Sequence, residues 1–126
     1  MRLVVDGMNV IGSRPDRWWR DRPGAMRRLV SALEEYAIQT GDDVTVVLDS
    51  RPFDVGDTRM VTVRFAQGGR NAGDDEIVRI VEGDSVPDTI HVVTSDRELA
   101  ARVSALGAQV IPAHGFRAKL DRFEPR

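Results

Sequence analysis

Acidic residues stand where the unbroken apolar runs of this chain stop. Asp6 follows Leu3-Val4-Val5, Asp49 follows Val46-Val47-Leu48, Asp96 follows Val92-Val93-Thr94-Ser95, and the adjacent pair Asp74-Asp75 makes a fourth such position. A run without polar alternation belongs to a strand covered on both faces, the mark of a parallel sheet between helical layers. In open sheets of that kind, side chains at the carboxyl ends of separate strands converge in one crevice, so the pattern predicts an acidic pocket at one sheet edge. Crowded carboxylates repel unless a cation joins them, and an all-oxygen donor set suits Mg²⁺ or Mn²⁺ better than zinc.

Residues 2–5, 44–48, 60–65, 90–93 and 109–111 read as strands. Asp6-Gly7-Met8-Asn9 reads as a turn-prone junction that opens a polar stretch from Gly12 to Pro23. Pro23 then suits the first turn of a helix that carries Met26, Leu29, Val30, Leu33 and Ala37 on one face and stops at Gly41. Gln67 to Gly73 contain three glycines and read as a mobile loop that delivers the chain to Asp74. Ile77, Ile80 and Val81 mark a short helix ended by Gly83, and Leu99, Val103 and Leu106 mark another capped by Gly107. Residues 116–123 are expected to form a terminal helix. The order β-α-β-β-α-β-α-β-α predicts a three-layer α/β/α domain, and 126 residues with 41% hydrophobic content suit one domain spanning residues 1–126.

The absence of cysteine excludes a disulfide framework, a thiolate nucleophile and a Cys-based metal site. The first strand-like run begins at Arg2, leaving no room for a secretory leader, and no apolar stretch approaches membrane-spanning length. A soluble, cytoplasmic protein with no membrane partner is the expectation. A net charge of −2 is not the basic balance usual for nucleic-acid binding. Yet 17 of the 18 basic residues are Arg. They suit either the lining of an approach to an acidic site or the bias of a genome's composition.

Taken singly, Asp74 or Asp75 and Asp96 are explained as helix N-caps. Asp6 and Asp49 sit at strand ends with no strong helix signal directly behind them, and a doubled acid exceeds what one cap requires. As a set, they suit phosphodiester hydrolysis, in which one or two divalent ions activate water and stabilise the leaving oxygen. No histidine is placed as a general base, since His91 lies within a strand and His114 in a Pro/Gly-rich turn. Gly68-Gly69-Arg70-Asn71-Ala72-Gly73 lacks the Lys and hydroxyl of a phosphate-binding P-loop. Met8 stands where an aspartyl-nucleophile phosphatase wants a second acid. A phospho-accepting receiver built on Asp49 would need a lysine where Ile111-Pro112 ends the last strand.

Val5-Asp6-Gly7-Met8-Asn9-Val10-Ile11, Val47-Leu48-Asp49, Gly73-Asp74-Asp75-Glu76-Ile77 and Val93-Thr94-Ser95-Asp96 occur in that order over residues 2–112. In this the chain resembles the NYN domain family, most of all the bacterial YacP-type branch of these PIN-like ribonucleases. The resemblance implies a PIN-like fold with a central, mostly parallel sheet in the order 3-2-1-4-5, and an endoribonuclease activity dependent on Mg²⁺ or Mn²⁺. It implies that Asp6, Asp74, Asp75 and Asp96 are the catalytic metal ligands, with Asp49 a further ligand or an outer partner. Asn9 would orient Asp6 or contact phosphate, and Ser95 would support the phosphate. RNA is the implied partner, ribosome-associated mRNA included; the YacP-type proteins compared are longer at the carboxyl end than this chain.

The segment Arg14-Pro15-Asp16-Arg17-Trp18-Trp19-Arg20-Asp21-Arg22 follows the first strand and should lie beside the pocket. Arg17 and its neighbours are candidates to meet RNA phosphates while Trp18 stacks on an unpaired base. The alternative is a Trp packed under the first helix among solvated charges. Arg70 and Arg97 flank the expected site, where each either holds phosphate or pairs with a nearby Asp. A catalytically silent PIN-like module that binds RNA or a protein is the competing function. A homodimer through the third strand or the terminal helix is the expected form of any self-association.

Overall fold

The structure, a computed structural model, describes residues 1–123. Five parallel strands, β1 (Arg2–Asp6), β2 (Asp43–Asp49), β3 (Val61–Ala66), β4 (Ile90–Val93) and β5 (Gln109–Ile111), form one sheet in the order β3-β2-β1-β4-β5. The continuous apolar runs follow from this placement, because alternate residues of an inner strand enter opposite cores. Leu3 and Val5 of β1 join Val44, Val46 and Leu48 of β2 on one face. Val4 and Val47 join Val92 on the other.

The first face is covered by α1 (Gly7–Gly12), α2 (Arg22–Thr40) and α5 (Ala113–Leu120), and the second by α3 (Ala72–Glu82) and α4 (Arg97–Ala105). The expected helix boundaries hold at Gly41, which ends α2 in the left-handed conformation at φ 77°, and at Gly107, with φ 100° beyond α4. Asp21 caps α2 by accepting from Gly24 N at 3.0 Å.

Three expectations change. The junction after Asp6 is helical from Gly7 onward, because Val10 and Ile11 lie one turn along and bury against the first core. The terminal helix begins at Ala113 rather than at residue 116, and Asp121–Phe123 form a 3₁₀ turn; Ala113, Phe116 and Leu120 supply its buried stripe. That shift also moves His114 out of a turn and onto α5, where it is exposed.

The step from β2 to β3 uses residues 50–60 and no helix. Glu34 on α2 replaces the missing support by accepting from the backbone N–H groups of Arg59, Met60 and Val61 at 3.0 Å each. Although desolvation works against its ionisation, those amides hold the Glu34 carboxyl below its ordinary range. Phe53 packs on Phe65 in the same region, with the Arg27 guanidinium over its ring.

Gly7 shows how tightly α1 is seated. A Cβ there would stand 2.7 Å from Leu48 Cδ2 and 2.8 Å from the Val47 carbonyl oxygen, and the backbone atom cannot swing aside. Gly7→Ala should therefore lower stability by about 2 kcal/mol through overpacking. The check is a lower urea midpoint with an unchanged denaturant slope.

Candidate functional site

Successive connections run outward from β1 in opposite directions, to β2 and β3 on one side and to β4 and β5 on the other. The chain therefore leaves a crevice at the carboxyl ends of β1 and β4, where the two directions part. Asp6 ends β1 at this point and is 7% exposed. Thr94, just beyond β4 and 1% exposed, donates its hydroxyl to Asp6 Oδ2 at 2.9 Å. The same oxygen, Thr94 Oγ1, accepts from Asp96 N at 3.1 Å.

Desolvation drives the Asp6 carboxyl up to about 6. The Thr94 hydroxyl pulls the other way, and the charges of Asp74 and Asp49 add to the rise. The Asp74 carboxyl is also raised, first by burial and then by the charges of Asp96 and Asp49, with Arg102 opposing. Asp6, Asp49, Asp74 and Asp96 thus feel one another although they come from four separate segments.

Each acid reaches the crevice by a different local route. Asp74 and Asp75 occupy the first turn of α3, whose N-cap is Asn71 in the left-handed conformation at φ 65°. They are not the capping residues, although the N-terminal end of a helix favours negative charge in that turn. Asp49 supplies the missing cap from across the sheet edge: its Oδ1 accepts from Gly73 N at 2.7 Å. The approach is so close that a Cβ on Gly73 would sit 2.6 Å from the same oxygen. Asp96 does act as a cap, with Oδ1 accepting from Leu99 N at 3.0 Å. Capping and clustering coexist at this residue, since a carboxylate has a second oxygen.

Asn9 and Ser95 tie the rim together. Asn9 Oδ1 accepts from Ser95 N at 2.8 Å, linking α1 to the loop after β4, and Ser95 Oγ accepts from Ala113 N at 2.9 Å at the start of α5. Arg97 is exposed at the first position of α4. Arg70 is exposed on the rim of a groove of about 260 Å³ that also includes Gln67, Asp75 and Arg79. A neighbouring groove of about 380 Å³ runs from Asp49 and Arg51 to the Gln67-Gly68-Gly69 turn. Arg17 and Trp18 lie beyond the far end of α1, which at 1.5 Å per residue places them about 9 Å of helix away from Asp6. Trp18 is half-buried against the first core, and Arg22 sits over its ring at 5.4 Å. His91 stands opposite Leu3 and Gln109 on β4, back from the strand end.

Two residues of the site escaped sequence reasoning. Thr94 is the partner of the buried carboxylate, and Arg102 pairs with Asp75 at 3.1 Å. Thr94 was visible as part of a Thr-Ser-Asp element, but only the sheet order places its hydroxyl beside Asp6. Arg102 lies mid-helix on α4 and meets Asp75 through the packing of α3 on α4, for which the sequence carries no signal. Among the described residues, no three His, Cys, Asp or Glu side chains are gathered closely enough to form a ready-made metal cage. No described helix is long and apolar enough to cross a membrane.

The burial of Asp6 has a stability consequence whose sign is fixed. The unfolded carboxyl ionises near 3.8 and the folded one near 6, so the folded state binds more protons within that window and loses stability as pH rises through it. The cost at pH 7 is of the order of 3 kcal/mol without divalent ions. Asp6→Asn should remove most of it, making the variant more stable than the parent at pH 7, with the gap closing at pH 4. Urea denaturation at the two pH values checks this.

A family profile describing the YacP-like NYN domain matches residues 3–126. Among solved structures, the chain is similar to Rae1 (YacP) from Bacillus subtilis, at 26% identity and a TM-score of 0.78, covering 98% of this chain and 75% of that one. The W164L mutant of the same protein superposes with a TM-score of 0.79 at 25% identity, covering 97% and 76%. The comparison with curated proteins gave no match. The expected PIN-like architecture and strand order 3-2-1-4-5 are both present, with every strand pair parallel. The chain belongs to the YacP-like NYN domain family, a nuclease-type, RNA-related group.

Proposed function

We propose that this chain is a divalent-metal-dependent endoribonuclease that hydrolyses phosphodiester bonds of single-stranded or exposed RNA at the crevice around Asp6. The observation that carries the reading is a nearly buried carboxylate, held on one oxygen by a hydroxyl and raised to about 6 beside further acids from α3 and β2. Such an arrangement is unfavourable for the fold alone and favours the arrival of a cation.

PIN-like nuclease domains use divalent metal ions, and the donor set here fits one: it is all carboxylate, and the neighbouring acidic charges raise the proton affinity of Asp6 and of Asp74. Asp6, Asp74, Asp75 and Asp96 would hold Mg²⁺ or Mn²⁺, with Asp49 as a further or outer partner. The bound ion supplies a water of lowered pKa and charge stabilisation at the scissile phosphate.

The chain's own residues prepare that chemistry. Thr94 fixes Asp6 Oδ2, and the Leu99 amide fixes one oxygen of Asp96, so these carboxylates hold their orientation with an oxygen to spare. Asn9 and Ser95 hold the loop that carries Thr94 and Asp96 against α1 and α5. Arg70 and Arg97 are exposed on the rim and would meet substrate phosphates, with the turn bearing Arg17 and Trp18 farther along the approach.

One observation favours a second reading, a silent RNA-binding module. Asp75 is already paired with Arg102, and among the described residues the acids are not gathered into a cage. Calorimetric titration with Mn²⁺ separates the two readings. A nuclease takes up the ion with an affinity that weakens below pH 6, as Asp6 acquires its proton, whereas a silent module needs no such site. In the activity test, a labelled single-stranded RNA should be cut in Mn²⁺ or Mg²⁺ and spared in EDTA. Asp74→Asn should lower the rate by about a hundredfold or more while circular dichroism stays that of the parent. Full activity in that variant would remove the assignment.

A further inference from the structure

Residues 14–28 hold six arginines against two aspartates in a chain whose net charge is −2. In this structure both aspartates leave the surplus standing. Asp21 turns its carboxylate to Gly24 N, and Asp16 forms no ion pair among the described residues. Arg14 reaches away to Asp121 at 2.7 Å. Arg17, Arg20 and Arg22 are exposed in or beside one 3₁₀ turn, Trp18–Arg20, and the exposed Arg28 lines the same small cavity as Trp18, whereas Arg27 turns away to Phe53 and the Asp54 carbonyl.

The two tryptophans of that turn are in different situations. Trp18 packs against the first core, carries Arg22 over its ring and closes a small cavity beside Val10, Ile11 and Leu29. Trp19 is 59% exposed. Its ring meets that of Trp18 at 84° and 6.0 Å, an edge contact that steadies Trp19 without stacking over it. The backbone is held as well: Arg17 is left-handed at φ 57°, Arg20 N donates to Arg17 O, and Asp21 N donates to Trp18 O before α2 begins. A large aromatic ring is thereby displayed at a fixed place beside four exposed arginines, Arg17, Arg20, Arg22 and Arg28.

We infer that Trp19 is a substrate-binding residue that stacks on an unpaired base of single-stranded RNA, with Arg17, Arg20 and Arg28 on the flanking phosphates and Trp18 as the pedestal. The inference rests on the ribonuclease reading and deepens it by assigning the residues that hold the single strand away from the acidic crevice. Charge selects the partner: the acidic crevice repels a polyanion, so the strand needs a basic handle away from the carboxylates, and this face supplies one. A planar ring among phosphate-binding groups matches a strand whose bases are free, because a duplex keeps its base faces covered.

The test is an anisotropy titration of a short labelled single-stranded RNA with the full chain in EDTA, which separates binding from cleavage. Trp19→Ala should weaken binding about tenfold, the loss of one base stack, while Trp19→Phe keeps most of the affinity. The same strand annealed to its complement should bind the parent and Trp19→Ala alike. An unchanged urea midpoint shows that Trp19→Ala is folded. Equal affinity of the parent and Trp19→Ala for the single strand would overturn the role of Trp19 and leave the ribonuclease reading standing, with an acidic protein surface as the remaining occupant of this face. An equal loss on the duplex would overturn the stacking. A parent chain that binds neither RNA would overturn this face as an RNA handle, while the cleavage assay in Mn²⁺ or Mg²⁺ decides the ribonuclease reading separately.

Discussion

The hydrogen bond from Thr94 to Asp6 joins the ends of β1 and β4 at the place where the sheet changes direction, and the rest of the site is arranged around it. A carboxylate that is almost fully covered must find a donor or lose its charge. The Thr94 hydroxyl and the Asn9 backbone amide are insufficient compensation here, as the upward shift of Asp6 shows. The fold therefore carries a local electrostatic deficit at the sheet's centre, where two cores and three helix starts meet. Stability has been sacrificed at one point, and the cores on both faces, from Leu3 and Leu33 to Ile77 and Leu99, offset it.

Much of this was legible in the sequence for a simple reason. A strand buried on both faces is apolar at nearly every position, so β1, β2 and β4 announce themselves as runs, and the acids that end them inherit their place from the strand ends. Helices with a long buried stripe, such as α2, were equally visible. The short α1 was not, because six residues bounded by glycines carry too little periodicity to distinguish a helix from a turn. The partners of the acids were hidden for another reason. Thr94 meets Asp6 across 88 positions, and Arg102 meets Asp75 across 27, so each pairing belongs to topology rather than local pattern.

Capping and clustering looked like rival explanations for the aspartates, and the geometry dissolves the contest. Asp96 caps its own helix, Asp49 caps α3 from a different strand, and Asp74 and Asp75 stand in the first turn, where the N-terminal end of a helix favours their charge. The helix starts that position the acids also soften their mutual repulsion. Both glycines of the D-G and G-D elements serve close approach: Gly7 lets α1 press on β2, and Gly73 lets α3 receive the Asp49 carboxylate.

The support of β3 by Glu34 bears on how the molecule breathes. β3 has a strand partner on one side and reaches β2 by a connection without a helix, so its opening is gated by one acidic side chain on α2 and by the Phe53–Phe65 contact. Local opening draws on the least supported element, and the amides that face Glu34 belong to that element. The edge of the sheet thereby rests on fewer strand contacts than the β1–β4 seam, which is paired on both sides. Opening at that edge leaves the Asp6–Thr94 contact, which lies on two inner strands, outside the part that moves.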